Sequence, residues 1–313
     1  MKKLKENHFL YFLSKLFILL FFVAIFDFSV GSILHKLYFN QKSGALYRTT
    51  YSLEKTTAKL LIFGSSKATF HYNPLIFQDE LNISCYNVGR NANFIFYHFA
   101  ILKGVLKRYT PEIIILDLVH GEFESQRDSY DRLSALLPYY KDHPELHSII
   151  EMKSPFEKYK LFSNIYPYNS TLFTTVVKSL TTDSSIDING FTPVNNIWKE
   201  PIKIETDLES GKFDYTKIKY FKSFIDLCNK KGIKLFIIVS PYFFKSHSVN
   251  PTISLAKNIA ANKNITFYDF SKDTTYTNHN NYFKDPLHLN IYGAEIFSKM
   301  IAKKLKAEIN INN

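Results

Sequence analysis

The sequence predicts an α/β protein with a mostly parallel sheet, preceded by an apolar helix long enough to cross a membrane. Short β-type runs alternate with helical patterns from about residue 58 to residue 307. This alternation is typical of a parallel sheet with helices on both faces, which is a three-layer α/β/α sandwich. Residues 9–34 are almost free of charge, and about 20 apolar residues suffice to cross a bilayer.

The N-terminal segment, residues 1–34, predicts an uncleaved signal-anchor. Three lysines precede its apolar run, which favours a cytoplasmic N-terminus and a main domain on the extracytoplasmic (periplasmic or extracellular) side of the cytoplasmic membrane. Asp27 would mark the outer boundary of the span. A cleaved signal peptide is the alternative, since residues 30–32 are small, but no A-x-A cleavage site follows.

The elements behind the fold class follow the anchor in order. A polar connector is expected at residues 35–57. Apolar runs bounded by Gly, Pro or Asn predict strands at residues 59–63, 84–88, 113–117, 233–239 and 265–268. Helical spacing and capping residues predict helices starting at residue 73 and at residues 94–108, 214–231, 251–261 and 291–305. These elements make one domain, residues 58–307, in which the Tyr-rich and Pro-interrupted stretch at about 121–212 is an insertion.

The composition fits a folded protein and excludes several classes. Of 313 residues, 46% are hydrophobic and 21% are charged, which excludes a disordered chain and a polytopic membrane protein. The net charge is +11, but the basic residues are scattered, so nucleic acid is not an expected partner. Cys85 and Cys228 are too few for a disulfide scaffold, and the sequence indicates neither a metal nor a cofactor.

Two distant motifs carry the chemistry. Gly64-Ser65-Ser66 follows the first predicted strand, where a serine can present its hydroxyl at the sheet edge. Asp285 lies three residues before His288, so its carboxylate can hold the Nδ1–H of the imidazole and leave Nε2 to act as a general base. His71, His98 and His120 lack ligand partners at suitable spacing, and we interpret them as surface or internally satisfied histidines.

On these motifs the chain resembles the SGNH (GDSL-like) hydrolase superfamily over residues 58–120 and 213–307. The resemblance implies a flavodoxin-like fold and a triad of Ser66, His288 and Asp285. It also implies an oxyanion hole from the backbone N–H groups of Ser66 and Gly89, the latter in Asn87-Val88-Gly89 after the second strand. The family's third block should supply an asparagine, but residues 116–121 contain none. Asn91 or Asn93 could substitute, and Asn93 is the residue we assign.

With an anchor and without the asparagine block, the chain looks more like the superfamily's envelope branches, which include polysaccharide O-acetyltransferase-like proteins and the protein of teichoic-acid D-alanylation. This implies a membrane-anchored serine esterase or O-acyltransferase acting on an acylated cell-envelope polysaccharide, with a membrane acyltransferase as a further expected partner. The alternative is an inactive glycan-binding or scaffold subunit of the same fold. A lipid esterase is a third and weaker hypothesis.

Overall fold

The structure is a computed structural model that describes residues 2–181, 187–201, 203–205, 212–246 and 249–310. The strands in these ranges are β1 Leu60–Phe63, β2 Cys85–Asn87, β3 Ile113–Asp117, β4 Lys203–Glu205, β5 Lys234–Val239, β6 Phe244–Ser246, β7 Thr266–Asp269, β8 Phe283–Asp285 and β9 His288–Leu289. The α-helices are α1 Lys2–Phe39, α2 Gly44–Glu54, α3 Ser66–His71, α4 Pro74–Leu81, α5 Ile95–Val105, α6 Arg127–Asp131, α7 His147–Ile150, α8 Glu157–Lys160, α9 Leu172–Leu180, α10 Tyr215–Lys230, α11 Pro251–Asn262, α12 Thr274–Thr277 and α13 Ile291–Asn310.

A five-stranded parallel sheet forms the centre of the fold, with the strand order β2-β1-β3-β5-β7. All five strands had been predicted from short apolar runs, and β1, β3 and β5 are almost completely buried. Because the strands are parallel, their carboxyl ends meet at one edge of the sheet, where ligands of such folds collect. β8 and β9 form a separate antiparallel hairpin.

Helices cover both faces of this sheet. Leu60 and Ile62 of β1 join a core cluster with residues of α3, α4 and α13. Phe63 points to the other face, where its ring centroid lies 5.4 Å from that of Phe224 in α10. The side chains of a strand alternate between its two faces, so one short apolar strand serves both layers. The predicted three-layer α/β fold is confirmed.

Several local elements are not predicted by the sequence, and three of them matter here. α2 lies within the stretch expected to be a polar connector, and it buries Leu46 and Leu53. α3 starts at Ser66 itself and is only six residues long, so it has too few positions to show a helical period. The β8–β9 hairpin places Asp285 and His288 opposite each other in its register.

Two compact units divide the chain. One, which we call the helical unit, contains residues 1–42 and 134–182, and the other, the sheet unit, contains residues 43–133 and 183–313. The segment predicted as an insertion thus contributes to both units. The predicted domain boundaries stay predictions.

The helical unit is built around α1. Among the described residues, α1 is the one helix that is long and apolar enough to cross a membrane. The aromatic ring of Tyr38, near its C-terminal end, packs against Tyr139 and Tyr168 at centroid distances of 5.9 and 5.7 Å. The C-terminal end of α1 is therefore held by packing, whereas residues 8–26 are exposed.

Candidate active site

The turn after β1 places Ser66 at the carboxyl edge of the sheet. Gly64 has a φ of +145°, a backbone conformation that side chains rarely adopt. A Cβ at this position would also lie 2.9 Å from both the Ala68 Cβ and the Asp117 carbonyl oxygen. Glycine therefore permits the close turn that makes Ser66 the first residue of α3. The Ser66 side chain is half-buried, so its hydroxyl is held but reachable.

The hairpin β8–β9 brings His288 and Asp285 to this serine. The distance from Ser66 Oγ to His288 Nε2 is 2.7 Å. His288 Nδ1 lies 2.9 and 3.0 Å from the two carboxylate oxygens of Asp285. A carboxylate can only accept, so His288 Nδ1 carries the proton and its Nε2 is free to accept the hydroxyl proton of Ser66. The three predicted side chains thus form one continuous hydrogen-bonded chain.

The pKa of Asp285 is lowered, which keeps its carboxylate ionised. Burial acts to raise this pKa, but the hydrogen bond and charge of His288 and the backbone N–H of Leu287 outweigh burial. The backbone N–H of His288 also donates to the same oxygen, at 3.0 Å. Two backbone N–H groups of the β8–β9 hairpin therefore orient the carboxylate toward the imidazole.

His71 locks the hairpin onto the sheet. It is fully buried, and its Nε2 accepts the N–H of Leu289 at 2.9 Å. With Nε2 as an acceptor, Nδ1 carries the proton and donates to Ser240 Oγ, 3.0 Å away at the end of β5. Burial, together with nearby Lys67, lowers the His71 pKa well below its usual value, so the ring is neutral. His71 therefore fixes the backbone next to His288.

Lys67 fixes the N-terminal end of α3. Its ammonium donates to the carbonyl oxygens of Ser240 and Pro241, at 2.7 and 3.0 Å, and lies 2.9 Å from the ring centroid of Tyr242. Burial lowers its pKa, while Asp117 opposes this change. Asp117 is itself buried, and burial raises its pKa to about 6. Together with His71, Lys67 ties both ends of α3 to the sheet.

The predicted oxyanion residues differ in their contacts. Ser66 begins a helix, where geometry leaves its N–H without an intrahelical acceptor. The N–H of Gly89 instead donates to Asn87 Oδ1, at 3.0 Å. A Cβ at Gly89 would lie 2.8 Å from that of Ala68, so this glycine lets the loop pack closely against the serine turn. Asn93 is buried, and its Nδ2 donates to the Asn91 carbonyl oxygen, at 3.0 Å, within its own loop.

Sequence reasoning missed three residues that build the site: His71, Lys67 and Asn87. Asn87 is buried at the end of β2, and its Nδ2 donates to the carbonyl oxygens of Ala68 and Tyr72, at 2.7 and 3.1 Å. His71 and Lys67 lie on the same short helix as Ser66, so their nearness to Ser66 in the sequence could have indicated them. That helix is not predicted by the sequence. Among the described residues, no group of three or more His, Cys, Asp or Glu side chains is placed to hold a metal ion.

Fold and site together define an α/β/α protein with a hydrogen-bonded serine, histidine and aspartate at the carboxyl edge of its sheet. The structure is similar to that of a proposed acylhydrolase from Bacteroides fragilis NCTC 9343, with 11% identity and a TM-score of 0.38 over 79% of this chain and 86% of that one. It is also similar to an acetyl xylan esterase, with 14% identity and a TM-score of 0.39 over 80% of this chain and 99% of that one. Likenesses this distant carry no argument about activity. No protein-family model matches the sequence, and no curated protein sequence matches it significantly.

Proposed function

We propose that this chain is a serine esterase or O-acyltransferase of the SGNH type, with Ser66 as its nucleophile. The observation that carries the proposal is the Ser66–His288–Asp285 chain of hydrogen bonds, with links of 2.7 and 2.9 Å. Serine is a weak nucleophile unless an adjacent base accepts its proton, and this geometry supplies one. Ser66 and His288 are 222 positions apart in the chain, so chain proximity does not account for their contact.

In this mechanism, Ser66 Oγ attacks the carbonyl carbon of an ester while its proton passes to His288 Nε2. Asp285 stabilises the imidazolium that forms. The tetrahedral intermediate collapses, the bond to the leaving alcohol breaks, and His288 gives that alcohol its proton. Water or a sugar hydroxyl then attacks the acyl-serine and loses its proton to His288. The bond between the acyl carbon and Ser66 Oγ breaks, His288 returns the proton to Oγ, and the acid or the new ester leaves.

The tetrahedral intermediate needs hydrogen-bond donors that stabilise its oxyanion. We assign the first donor to the Ser66 N–H and further donors to the Gly89 N–H and the Asn93 amide. The Gly89 N–H is bonded to Asn87 Oδ1, so it must exchange that partner for the oxyanion. Loss of one oxyanion donor typically slows an enzyme by about 10²–10³. We therefore expect a slow enzyme unless the loop containing Gly89 rearranges when substrate binds.

The same contact favours a second candidate function. If the Gly89 N–H stays on Asn87, the site lacks one of the three donors that we assign, and the protein serves as a non-catalytic glycan-binding or scaffold subunit of an envelope acylation system. Such a subunit would retain the fold without turnover.

For substrate and location, we extend the resemblance to the envelope branch. We propose that α1 anchors the protein in the cytoplasmic membrane with the sheet unit on the extracytoplasmic side, that the substrate is an acylated envelope polysaccharide, and that a membrane acyltransferase is a partner. The length and exposure of α1 support the anchor.

The test compares Ser66→Ala with Ser65→Ala, because the two serines are neighbours and Ser65 makes no side-chain capping bond. We expect wild type and Ser65→Ala to react with a fluorophosphonate and to hydrolyse a short-chain aryl ester. Ser66→Ala and His288→Ala should lose at least about a thousandfold in turnover. Labelling of Ser66→Ala at the wild-type rate would disprove the assignment of the nucleophile.

Full folding with no labelling of the wild type would support the scaffold function instead. Release of acetate from an acetylated polysaccharide, compared with fatty-acid release from a short-chain phospholipid, separates the glycan from the lipid substrate.

A further inference from the structure

An aromatic patch lies on the surface of the helical unit, at and beside the short helix α8. It consists of Phe156, Tyr159 and Phe162, which are 66%, 64% and 78% exposed. The rings of Tyr159 and Phe162 lie 6.5 Å apart, so they form one surface. Exposed apolar side chains that lie together commonly mark an interaction site in a folded protein.

The opposite side of α8 fixes the direction in which this patch faces. Glu157 is completely buried, where it accepts hydrogen bonds from the Tyr166 hydroxyl and from Lys160 Nζ. Leu161, one helical turn later, is also buried. With Glu157 and Leu161 turned inward, the aromatic patch has to face outward. Its exposure is therefore built into the local fold.

The loop that follows the patch joins α1 at a defined level. The carboxylate of Asp27 accepts hydrogen bonds from the Ser163 hydroxyl, from the Asn164 N–H at 2.7 Å and from the Asn164 side-chain amide at 2.9 Å. Gly31 allows this approach, because a Cβ there would lie 2.4 Å from the Asn164 Cβ. Phe162 directly precedes this loop, so it lies close to the level of Asp27 along α1.

Asp27 also marks the end of the exposed part of α1, which we call the bare stretch. Every residue from His8 to Phe26 is exposed, and partial burial begins at Asp27. At 1.5 Å per residue, the bare stretch is about 28 Å long. The hydrocarbon core of a bilayer is about 30 Å thick. If the bare stretch crosses that core, the aromatic patch lies at its boundary.

The chemistry of the patch fits this level. Tyrosine collects at the membrane–water boundary, where its ring is buried and its hydroxyl stays in water, and phenylalanine lies on the apolar face of segments that bind at this boundary. Lys158 and Lys160 are exposed beside the rings, and cationic side chains are attracted to anionic lipid headgroups. A site for a protein partner would not need to coincide with the end of the bare helix.

We propose that the aromatic patch inserts into the headgroup region of the bilayer and fixes the helical unit on the membrane surface. This inference rests on the proposed anchoring by α1 and goes beyond it, because an anchor alone would leave Phe156, Tyr159 and Phe162 in water. Two attachments, one spanning and one interfacial, restrict how the helical unit can tilt about α1.

The test uses the full chain in vesicles of phosphatidylcholine and phosphatidylglycerol that contain bromine-labelled lipids, which quench nearby tryptophan. The single native tryptophan is first removed with Trp198→Phe. One of three reporters is then added: Phe162→Trp in the patch, Phe17→Trp in the bare helix, or Phe173→Trp as the matched control. Phe173 is 79% exposed in the same unit. Its helix α9 bonds to Gln41, which follows α1, and the last residue of α1, Phe39, lies about 18 Å beyond Asp27 along the helix axis.

We expect lipids brominated near the headgroup to remove about half of the emission of the Phe162→Trp variant, as for an indole at the interface. Lipids brominated deep in the acyl chain should quench Phe17→Trp, and Phe173→Trp should keep its emission. Quenching of Phe17→Trp without quenching of Phe162→Trp would overturn the interfacial patch and leave the anchor intact.

If Phe17→Trp is not quenched, the anchoring itself fails. Equal quenching of Phe162→Trp and Phe173→Trp would also overturn the proposal, because the contact would not be confined to the patch. Shielding of Phe162→Trp from aqueous acrylamide without lipid quenching would assign the patch to a protein partner and reject the bilayer.

Discussion

The two units of this protein differ in which side chains they expose and which they bury. The helical unit leaves large apolar side chains in the open, both along residues 9–26 and in the aromatic patch. The sheet unit puts ionisable groups inside, among them Lys67, Asp117 and Glu122. Exposed aromatics cost hydrophobic free energy in water, and buried charges cost desolvation free energy.

Each departure has a local explanation. If α1 anchors the protein as we propose, the open apolar surface of the helical unit lies in lipid, where its exposure to water no longer costs free energy. The buried ionisable groups of the sheet unit are hydrogen-bonded: Glu122 accepts the N–H of Ile95 at the start of α5, and Asp117 accepts the hydroxyl proton of Tyr72. Lys67, for example, holds the carbonyl oxygens that end β5. Under the two proposals, the helical unit is adapted to a lipid surface and the sheet unit to the candidate site around Ser66.

The largest effect we expect in the helical unit comes from Asp27→Ala. The amide of Asn164 donates to this carboxylate, and hydrogen bonds to a charged group contribute about 1.5–3 kcal/mol. Hydrogen exchange of the Asn164 and Ile165 amides, measured on the protein in micelles, should accelerate by about 30-fold. Ester hydrolysis by the same variant should stay at the wild-type level. A matching loss of hydrolysis would break the separation between the two units.

His71→Phe should have a smaller effect, on the sheet unit. Phenylalanine keeps the ring volume but loses the acceptor for the Leu289 N–H and the donor to Ser240 Oγ. Because His288 is then held less well against Ser66, we expect kcat to fall by about tenfold with KM unchanged. His71→Gln can restore both hydrogen bonds and should recover most of kcat. A rise in KM alone would show that His71 acts on substrate binding and not on positioning.

The smallest effect concerns the pH dependence of stability. Glu122 accepts the N–H of Ile95 at the start of α5, and burial raises its pKa to about 7, against the opposing charge of Lys217. A carboxyl whose pKa is raised on folding contributes stability below its unfolded pKa, near 4.5, and loses that contribution as the pH rises to about 7.

Glu122→Gln imitates the protonated form, so its free energy of unfolding relative to wild type should increase between pH 5 and pH 8, by on the order of 1 kcal/mol. Urea titrations at several pH values measure this difference. A difference that does not change with pH would mean that Glu122 ionises in the folded protein as it does in the unfolded chain.

The fold could be predicted from the sequence because its elements are locally encoded. The runs at residues 59–63 and 113–117 are apolar on both faces, which is typical of strands covered by helices on both sides. The helices at 214–231 and 251–261 carry their own capping residues, Asp214 and Asn250. The serine could be found because it closely follows a predicted strand. The aspartate and the histidine could be found because they lie three residues apart.

The supporting residues could not be found in this way. Gly89 occupies the expected loop, but its N–H is bonded to a side chain two residues away, a choice that depends on how Asn87 packs against α3. His71 contacts a backbone N–H 218 positions later in the chain. Neither contact leaves a period or a spacing that a sequence pattern can show.

The sequence by itself determined the apolar helix, the order of strands and helices and the three candidate site residues, because hydrophobic periodicity and short motifs are properties of neighbouring residues. Only the tertiary structure decided that Ser66 meets His288, that Asp27 receives the loop at residues 163–165, and that the rings of the aromatic patch face outward. Those outcomes depend on contacts between residues far apart in the chain, and such contacts form only when the backbone has closed around them.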